Sequence, residues 1–349
     1  MMATRSRVQL KPAARFALCV LPWALVACSG FQSVLDPKGP RAADVARLHW
    51  TLTSIATVVY IVVISALVYA LWRASTRGPF IDEHQYHENP DQAAVMKRGV
   101  IIGASATAII LLASLVLSVS TGSAVATIRG DKPLRIDIVG HQWWWEVNYD
   151  DPVPQNQVKT ANEIHVPVGR SVLLKMRSTD VIHSFWAPNL SGKKDLIPGH
   201  ETITWFRADT AGVYRGQCAE FCGYQHAKMA FYIVAEPRID FEHWLDQQRG
   251  PAPKPTDSLT QTGERVFLSG PCAMCHTIGG TGAGGNIGPD LTHLASRRTI
   301  AAGTLPLTTG NLAGWILDPQ SIKPGVKMPP TQLDPQALQA LLAYLGSLK

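Results

Sequence analysis

Two long runs without a charged residue constrain this chain most, because each is long enough to cross a lipid bilayer. The first comprises the 23 residues from Trp50 to Trp72, and the second comprises the 29 residues from Gly99 to Thr127. At about 1.5 Å per residue, a helix over either run spans a hydrocarbon core of roughly 30 Å. We therefore predict a two-helix transmembrane hairpin within residues 29–127, with helices over about 50–72 and 99–121. Two buried helices of a soluble protein are the alternative.

Residues 1–28 have the pattern of a secretory signal peptide. Basic residues precede an apolar stretch from Phe16 to Ala27, which is shorter than a spanning helix requires. The stretch ends in Leu25-Val26-Ala27-Cys28, which resembles a lipoprotein cleavage box with Cys28 as the lipidated residue. Basic residues between the two apolar runs indicate an inside loop, so everything beyond residue 127 is predicted outside: Arg73, Arg77, Lys97 and Arg98.

The formal net charge of +6 does not indicate nucleic-acid binding. Most of the excess lies in the first 120 residues, within the leader and the membrane segment. The rest of the chain is close to neutral, so no basic groove is predicted.

Residues 217–231 contain four candidate metal ligands within twelve positions: Cys218, Cys222, His226 and Met229. Thiolate and thioether sulfurs beside imidazole favour copper over hard cations. Two thiolates can bridge two copper ions, which calls for a second imidazole from elsewhere in the fold. His183, near the end of a strand-like run, is the best candidate. A disulfide between the two cysteines, with a surface histidine and a core methionine, is the alternative.

The segment Cys218-Ala219-Glu220-Phe221-Cys222, together with His183-Ser184 and His141-Gln142-Trp143, resembles the binuclear copper-A site of cytochrome c oxidase subunit 2. The resemblance implies that Cys218 and Cys222 bridge two copper ions. It further implies that His183 and His226 each cap one copper and that Met229 is a weak ligand. Glu220 would ligate copper through its backbone carbonyl, and its side chain would reach a magnesium ion at the subunit boundary. Trp143 would receive electrons.

Residues 128–248 are predicted to form an all-β domain. Short β-branched or aromatic runs alternate with glycine, proline and asparagine, which is typical of an antiparallel sandwich or barrel. The resemblance implies a cupredoxin fold. The predicted strands are 134–139, 143–149, 163–166, 171–176, 202–206 and 230–234.

A proline-rich linker, residues 249–257, precedes a second soluble domain at residues 258–349. The segment Cys272-Ala273-Met274-Cys275-His276 is a c-type haem attachment motif, with His276 as an axial ligand. Met328 is the predicted sixth ligand and His293 the competitor. Gly288-Pro289-Asp290-Leu291 resembles the segment of class I cytochromes c whose proline carbonyl bonds the axial histidine, and residues 335–348 have a helical apolar stripe.

These patterns together predict a multidomain membrane protein: a transmembrane hairpin, an all-β cupredoxin domain and an all-α class I cytochrome c domain. The resemblance implies the electron-input subunit of a terminal oxidase in a bacterial inner membrane. Its partners would be a catalytic subunit 1, a subunit 3, membrane lipid and an external cytochrome c or other donor. The alternatives are a quinol oxidase subunit, which should lack the copper ligands, a nitrous oxide reductase, and a membrane-tethered carrier or copper-binding assembly protein without an oxidase partner.

Overall fold

The computed structural model describes residues 30, 32–76, 90–130 and 132–349. These residues form two compact units. One unit comprises residues 43–128, and the other comprises the residues up to 42 together with residues 129–349. The predicted signal peptide with Cys28 lies outside the described residues, and so does the loop at 77–89.

Two long apolar helices occupy the first unit. Helix α1 is Pro40–Ser75 and helix α2 is Pro90–Ala126. Both are long and apolar enough to cross a membrane, and the apolar stretch of each is exposed along its length. Both helices begin about ten residues before the uncharged runs, because backbone hydrogen bonding continues through the polar turns that precede them. A proline at the first position, as in both helices, is compatible with a helix start.

The soluble unit begins with ten strands in two five-stranded sheets. In the first sheet the order is β3-β2-β1-β5-β8, and in the second it is β4-β10-β9-β6-β7. The strand bounds are β1 Leu134–His141, β2 Trp144–Tyr149, β3 Val158–Ala161, β4 Glu163–Pro167, β5 Val172–Ser178, β6 His183–Trp186, β7 Lys194–Leu196, β8 Thr202–Phe206, β9 Gly212–Cys218 and β10 Ala230–Glu236.

The predicted antiparallel arrangement is wrong for two strand pairs. Strand β1 pairs with β5 in parallel, and β4 pairs with β10 in parallel. Parallel neighbours need a long connection, and here the chain between β1 and β5 passes through the second sheet before it returns. The result is an all-β sandwich, as predicted, with a mixed sheet on each side.

The sandwich core lies between the two sheets and surrounds Trp145, which is fully buried. Its indole ring makes edge contacts with Phe185 and Phe231, at centroid distances of 5.9 and 5.4 Å. Such aromatic pairs add to the free energy of burial. After β10, helix α3 (Arg238–Arg249) leads out of the sandwich, and its Phe241 is buried in the same core.

Residues 258–349 fold into helices with one short hairpin. The elements are α4 Ser258–Ser269, α5 Cys272–Cys275, β11 Thr299–Ile300, β12 Leu305–Pro306, α6 Thr309–Leu317, α7 Pro319–Ile322 and α8 Pro335–Ser347. Helices α4 and α8 start at aspartate caps, Asp257 and Asp334, whose carboxylates accept backbone N–H bonds of the first turn. Phe267 and Tyr344 on these two helices are buried against each other, which forms a second hydrophobic core.

Candidate metal centre and haem cavity

His183 begins strand β6 and is completely buried. Its Nε2 lies 2.8 Å from a carboxylate oxygen of Asp180, while its Nδ1 lies 3.9 Å from Cys218 Sγ. A carboxylate on one ring nitrogen fixes the tautomer and leaves the other nitrogen free to bind a metal. Gly140 is required beside the ring, because a Cβ there would approach His183 to 2.8 Å.

Asp180 is the residue that orients this histidine, and the sequence patterns did not single it out. Burial opposes its ionisation, but hydrogen bonds from His183 and from the Gln142 backbone N–H lower the pKa of Asp180 to about 2. The carboxylate is therefore ionised at neutral pH and holds the Nε2 proton of His183 in place. A carboxylate three residues before a histidine is too common a pattern to have marked it.

The two cysteines are free thiols: Cys218 ends strand β9, and Cys222 lies on the loop between β9 and β10. These strands are antiparallel neighbours, so the loop returns to its starting point, and the backbone N–H of Cys218 donates to Met229 O at 2.9 Å. Cys218 Sγ and Cys222 Sγ lie 3.7 Å apart, and Cys222 Sγ lies 3.9 Å from Met229 Sδ. Both thiols and the thioether are almost completely buried.

The two remaining predicted ligands reach the same cluster. His226 Nδ1 lies 3.6 Å from Cys222 Sγ, and the backbone carbonyl oxygen of Glu220 lies 3.2 Å from Cys218 Sγ. The structure thus brings all six predicted copper ligands together. The ligand atoms of His183, Cys218 and Cys222 all lie within 4.8 Å of one another, which is compact enough for a metal site.

The chemistry of this donor set fits copper. Two thiols, two imidazoles and a thioether are soft or borderline donors, and among the described residues this cluster contains no carboxylate ligand atom. The Cys222 thiol and His183 hold the pKa of Cys218 low, whereas the neighbouring Cys218 thiolate and burial raise the pKa of Cys222. Copper binds thiolates, so metal binding would release the protons that the two thiols still carry.

Trp143 lies against this cluster in the turn between β1 and β2. Its indole Nε1–H donates to the Cys222 carbonyl at 2.9 Å, and the Gln142 side-chain amide donates to the same oxygen at 2.8 Å. Only 8% of the Trp143 residue is exposed. Part of the Trp143 ring is buried by the cytochrome c domain. Gly325 of that domain lies so close that a Cβ there would be 3.7 Å from the ring.

His276 directly follows helix α5, and one of its two ring nitrogens is used in a hydrogen bond. Its Nδ1–H donates to the Pro289 carbonyl at 2.7 Å, which confirms the contact predicted from the Gly288-Pro289 segment. Burial lowers the pKa of His276, so the neutral ring keeps a lone pair on Nε2. Gly288 packs on the imidazole so closely that a Cβ would come within 2.5 Å of it.

A cavity of about 270 Å³ opens beside His276 and is lined mainly by apolar side chains. Both cysteines of the attachment motif and Met328 also line it. These residues fit a covalently attached haem, with thiols for two thioether bonds and a histidine and a methionine as axial ligands. The other lining residues include Phe267, Leu294, Ile316, Leu341 and Leu345, all of the second core, and Trp143 of the first.

His293, the competitor for the sixth position, is committed elsewhere. Its ring nitrogens lie 3.0 Å from the Lys349 carbonyl and 3.1 Å from the Gly250 carbonyl. It does not contribute to the described lining of the cavity. The geometry therefore favours Met328.

Comparison with known proteins matches both soluble domains. The family model "Cytochrome C oxidase subunit II, periplasmic domain" matches residues 134–236, and the model "Cytochrome c" matches residues 260–349. Cytochrome c oxidase subunit 2 of Alkalihalophilus pseudofirmus is 34% identical over 356 aligned positions, which cover 97% of this chain and 98% of that protein. The chain belongs to the cytochrome c oxidase subunit 2 family.

Other members of the oxidase subunit 2 group are also similar. Cytochrome c oxidase subunit 2 of Bacillus subtilis is 29% identical over 95% of this chain and 96% of its own length. Quinol oxidase subunit 2 of Bacillus spizizenii is 28% identical over 71% of this chain and 75% of its own length. Family membership makes the chain the second subunit of a haem–copper oxidase, with a cytochrome c domain fused at the C-terminal side. The two apolar helices are the membrane anchor expected for it.

Proposed function

We propose that Cys218 and Cys222 bridge two copper ions and that His183 and His226 each bind one of them. Met229 acts as a weak ligand, and the Glu220 carbonyl completes the set. The convergence of these donor atoms in one buried cluster supports the assignment. The Glu220 side chain is exposed, so its carboxylate is available to a magnesium ion shared with a catalytic subunit.

The proposed haem ligands are His276 and Met328, with Cys272 and Cys275 as attachment points. Bound haem and copper supply one-electron carriers. The chain's own residues would hold the two carriers on either side of Trp143, whose ring is buried between the Cys222 carbonyl and the cavity. Copper held by the two thiols and the two imidazoles would supply one-electron chemistry, and the rigid strand ends that carry Cys218 and His183 suit a relay.

The position of Trp143 supports the proposed path of electrons from haem to copper. Its indole is bonded to the carbonyl of Cys222 and also lines the haem cavity. One side chain therefore contacts both centres, and we assign it as the point of electron entry into the copper site. Electrons pass from the cytochrome c domain to the copper domain and leave for an oxygen-reducing catalytic subunit.

The partners are a catalytic subunit 1, a subunit 3 and an external cytochrome c or similar donor. The soluble domains face the periplasmic side of a bacterial inner membrane, with α1 and α2 in the lipid. The domain boundaries that we propose are a leader at 1–28, a hairpin at 29–127, a copper domain at 128–248, a linker at 249–257 and a cytochrome c domain at 258–349.

The test is a copper and haem count on the purified oxidase complex, combined with visible and near-infrared spectra. About two copper ions in this subunit, a delocalised mixed-valence band and one covalent haem are expected. One copper ion or none, with haem present, would overturn the binuclear assignment and favour the quinol-oxidase type of subunit. Purification without a many-helix partner would favour a membrane-tethered carrier.

A further inference from the structure

Lys323 is a fully buried lysine at the end of helix α7, with 1% of the residue exposed. Lysine is almost never buried to this extent unless its charge is compensated. Among the described residues, no carboxylate lies within ion-pair distance of its ammonium group. The charge of the Lys323 ammonium group is therefore compensated by something other than a carboxylate.

Three backbone carbonyls surround the ammonium group. Lys323 Nζ donates to Lys228 O at 2.8 Å, to Trp143 O at 3.0 Å and to Ala301 O at 3.1 Å. An ammonium group has three N–H donors, so each finds one acceptor. Burial, together with the nearby Lys228 ammonium, lowers the pKa of Lys323 to about 7, and the protonated form is the one that satisfies all three carbonyls.

The three acceptors come from three different segments. Trp143 is the tryptophan between the two centres, Lys228 immediately precedes the copper ligand Met229, and Ala301 belongs to the β11–β12 turn of the cytochrome c domain. Two of the three bonds therefore cross from the cytochrome c domain to the copper domain. A lysine needed only for the fold of its own domain would not require these two.

The backbone next to Lys323 is held by the copper loop as well. The Gln225 side-chain amide donates to Pro324 O at 2.8 Å, and the Lys228 ammonium donates to Ile322 O. Val326 packs on the core of the copper domain. The same segment continues to Met328, the predicted haem ligand, so the position of that ligand relative to Trp143 depends on how residues 322–326 are held.

We propose that Lys323 is a positioning residue for electron transfer within the chain: its three carbonyl bonds hold the haem-ligand loop against Trp143 and the copper loop. The inference depends on the proposed relay from haem to copper. Because electron tunnelling weakens exponentially with distance, a small displacement of the cytochrome c domain slows transfer without removing either cofactor.

The test compares Lys323→Met with Lys254→Met in the purified oxidase complex. Methionine keeps a similar length and apolar stem but has no donor, and Lys254 is an exposed linker lysine that controls for the lost charge. Haem is reduced by a rapid photoreductant, and arrival of the electron at copper is followed in the near infrared. We expect Lys323→Met to slow this step several-fold, because loss of the two bonds between the domains lets the haem-ligand loop move away from Trp143 and lengthens the path from haem to copper. Copper content, haem content and the KM for the external donor should stay unchanged.

Hydrogen exchange supplies a readout that does not depend on the cofactors' reactions. The Ala230 N–H donates to Ala302 O at 3.0 Å and the Arg298 N–H to Glu163 at 3.1 Å, both across the domain boundary. Peptides over these bonds should exchange faster in Lys323→Met than in Lys254→Met. If both the electron-transfer rate and the exchange are unchanged, the positioning role is excluded.

Two controls keep the result interpretable. If Lys323→Met does not assemble, Lys323→Gln retains two N–H donors, and we expect an intermediate transfer rate; a rate equal to that of the unsubstituted chain would overturn the proposal. Absence of electron transfer between haem and copper in the unsubstituted complex would refute the proposed relay itself. Normal transfer there, with an unchanged rate in the variants, would refute only the role of Lys323.

Discussion

The copper site and the haem site solve different packing problems in one chain. At the copper site the sulfur and nitrogen donors lie within 4 Å of their neighbours, held by strand ends and one returning loop. At the haem site the cysteines, His276 and Met328 surround a cavity of about 270 Å³. A small ion needs only donor atoms that already lie close together in a packed core. A large cofactor instead fills a cavity and becomes part of the hydrophobic core itself. Loss of copper should therefore be a local event, and loss of haem a loss of structure.

The largest expected effect follows from removal of both attachment thiols, Cys272→Ala with Cys275→Ala. The haem-binding cavity has a volume of about 270 Å³. At roughly 24 cal/mol per Å³, an empty cavity of this volume would cost up to about 6.5 kcal/mol, comparable to the whole stability of a small domain. Limited proteolysis should then cut within residues 258–349, and haem staining should be negative. A protease-resistant domain without haem would contradict the comparison.

Cys218→Ser is the matching change at the copper site. It removes a proposed bridging ligand, so copper affinity should fall by more than the roughly 10–100-fold typical of a change outside the ligand shell. The near-infrared band should disappear while the sandwich stays folded, because Trp145 also packs on Phe185 and Phe231, neither of which is a proposed ligand. Circular dichroism melting and metal analysis check both points; an unfolded copper domain would contradict the local character of this site.

Met328→Leu tests the assignment of the sixth haem ligand. The haem should stay covalently attached while its reduction potential falls, on the order of 0.1 V within the roughly 0.8 V range that axial ligands cover. Redox titration followed at the haem absorbance measures the shift. His293→Gln is the matched control and should leave the potential unchanged, since its ring nitrogens lie beside the backbone oxygens of Lys349 and Gly250 and not in the cavity. A shift in the control alone would reverse the assignment.

Asp180→Asn should weaken copper binding by about 10–100-fold without unfolding the domain. The amide cannot hold the Nε2 proton of His183 as an ionised carboxylate does, so the ring loses its fixed tautomer and orientation. Competition with a chelator measures the affinity. Unchanged affinity would mean that packing against Gly140 alone orients the imidazole.

The smallest expected effect is that of Gly325→Ala, at the boundary between the two domains. Gly325 has φ +87°, where an alanine costs about 1 kcal/mol, and its Cβ would sit 3.7 Å from the Trp143 ring. Faster hydrogen exchange at the boundary is the readout. Gly282→Ala, in open space without a positive φ, is the matched control and should have no such effect.

The sequence predicted the copper site better than the sheets that carry it. Four of its proposed ligands fall within twelve residues, so their spacing indicated a metal loop, and the position of His183 near the end of a strand-like run made it the candidate for the second imidazole. Strand β9 was missed because Gly216 reads as a break in a strand. In the fold this glycine is necessary, since the Phe231 ring occupies the space of any side chain there, within 2.1 Å of a Cβ.

Asp180 and Lys323 could not have been found from local patterns. Asp180 acquires its role only when β6 places His183 between it and Cys218, and Lys323 contacts residues 180 and 95 positions away along the chain. The contact between Trp143 and the haem cavity also depends on how two separately encoded domains pack. Such relations arise from long-range packing, which hydrophobic periodicity and residue spacing do not encode.

The bonds of His293 have a consequence for how such a chain can be assembled. The His293 ring lies between Gly250, the second residue of the linker, and Lys349, the last residue described. The entrance and the exit of the cytochrome c domain therefore lie side by side, as in domains that tolerate insertion or permutation. A haem domain whose two ends lie together can be inserted at a single position of another protein without a change in the path of that protein's chain.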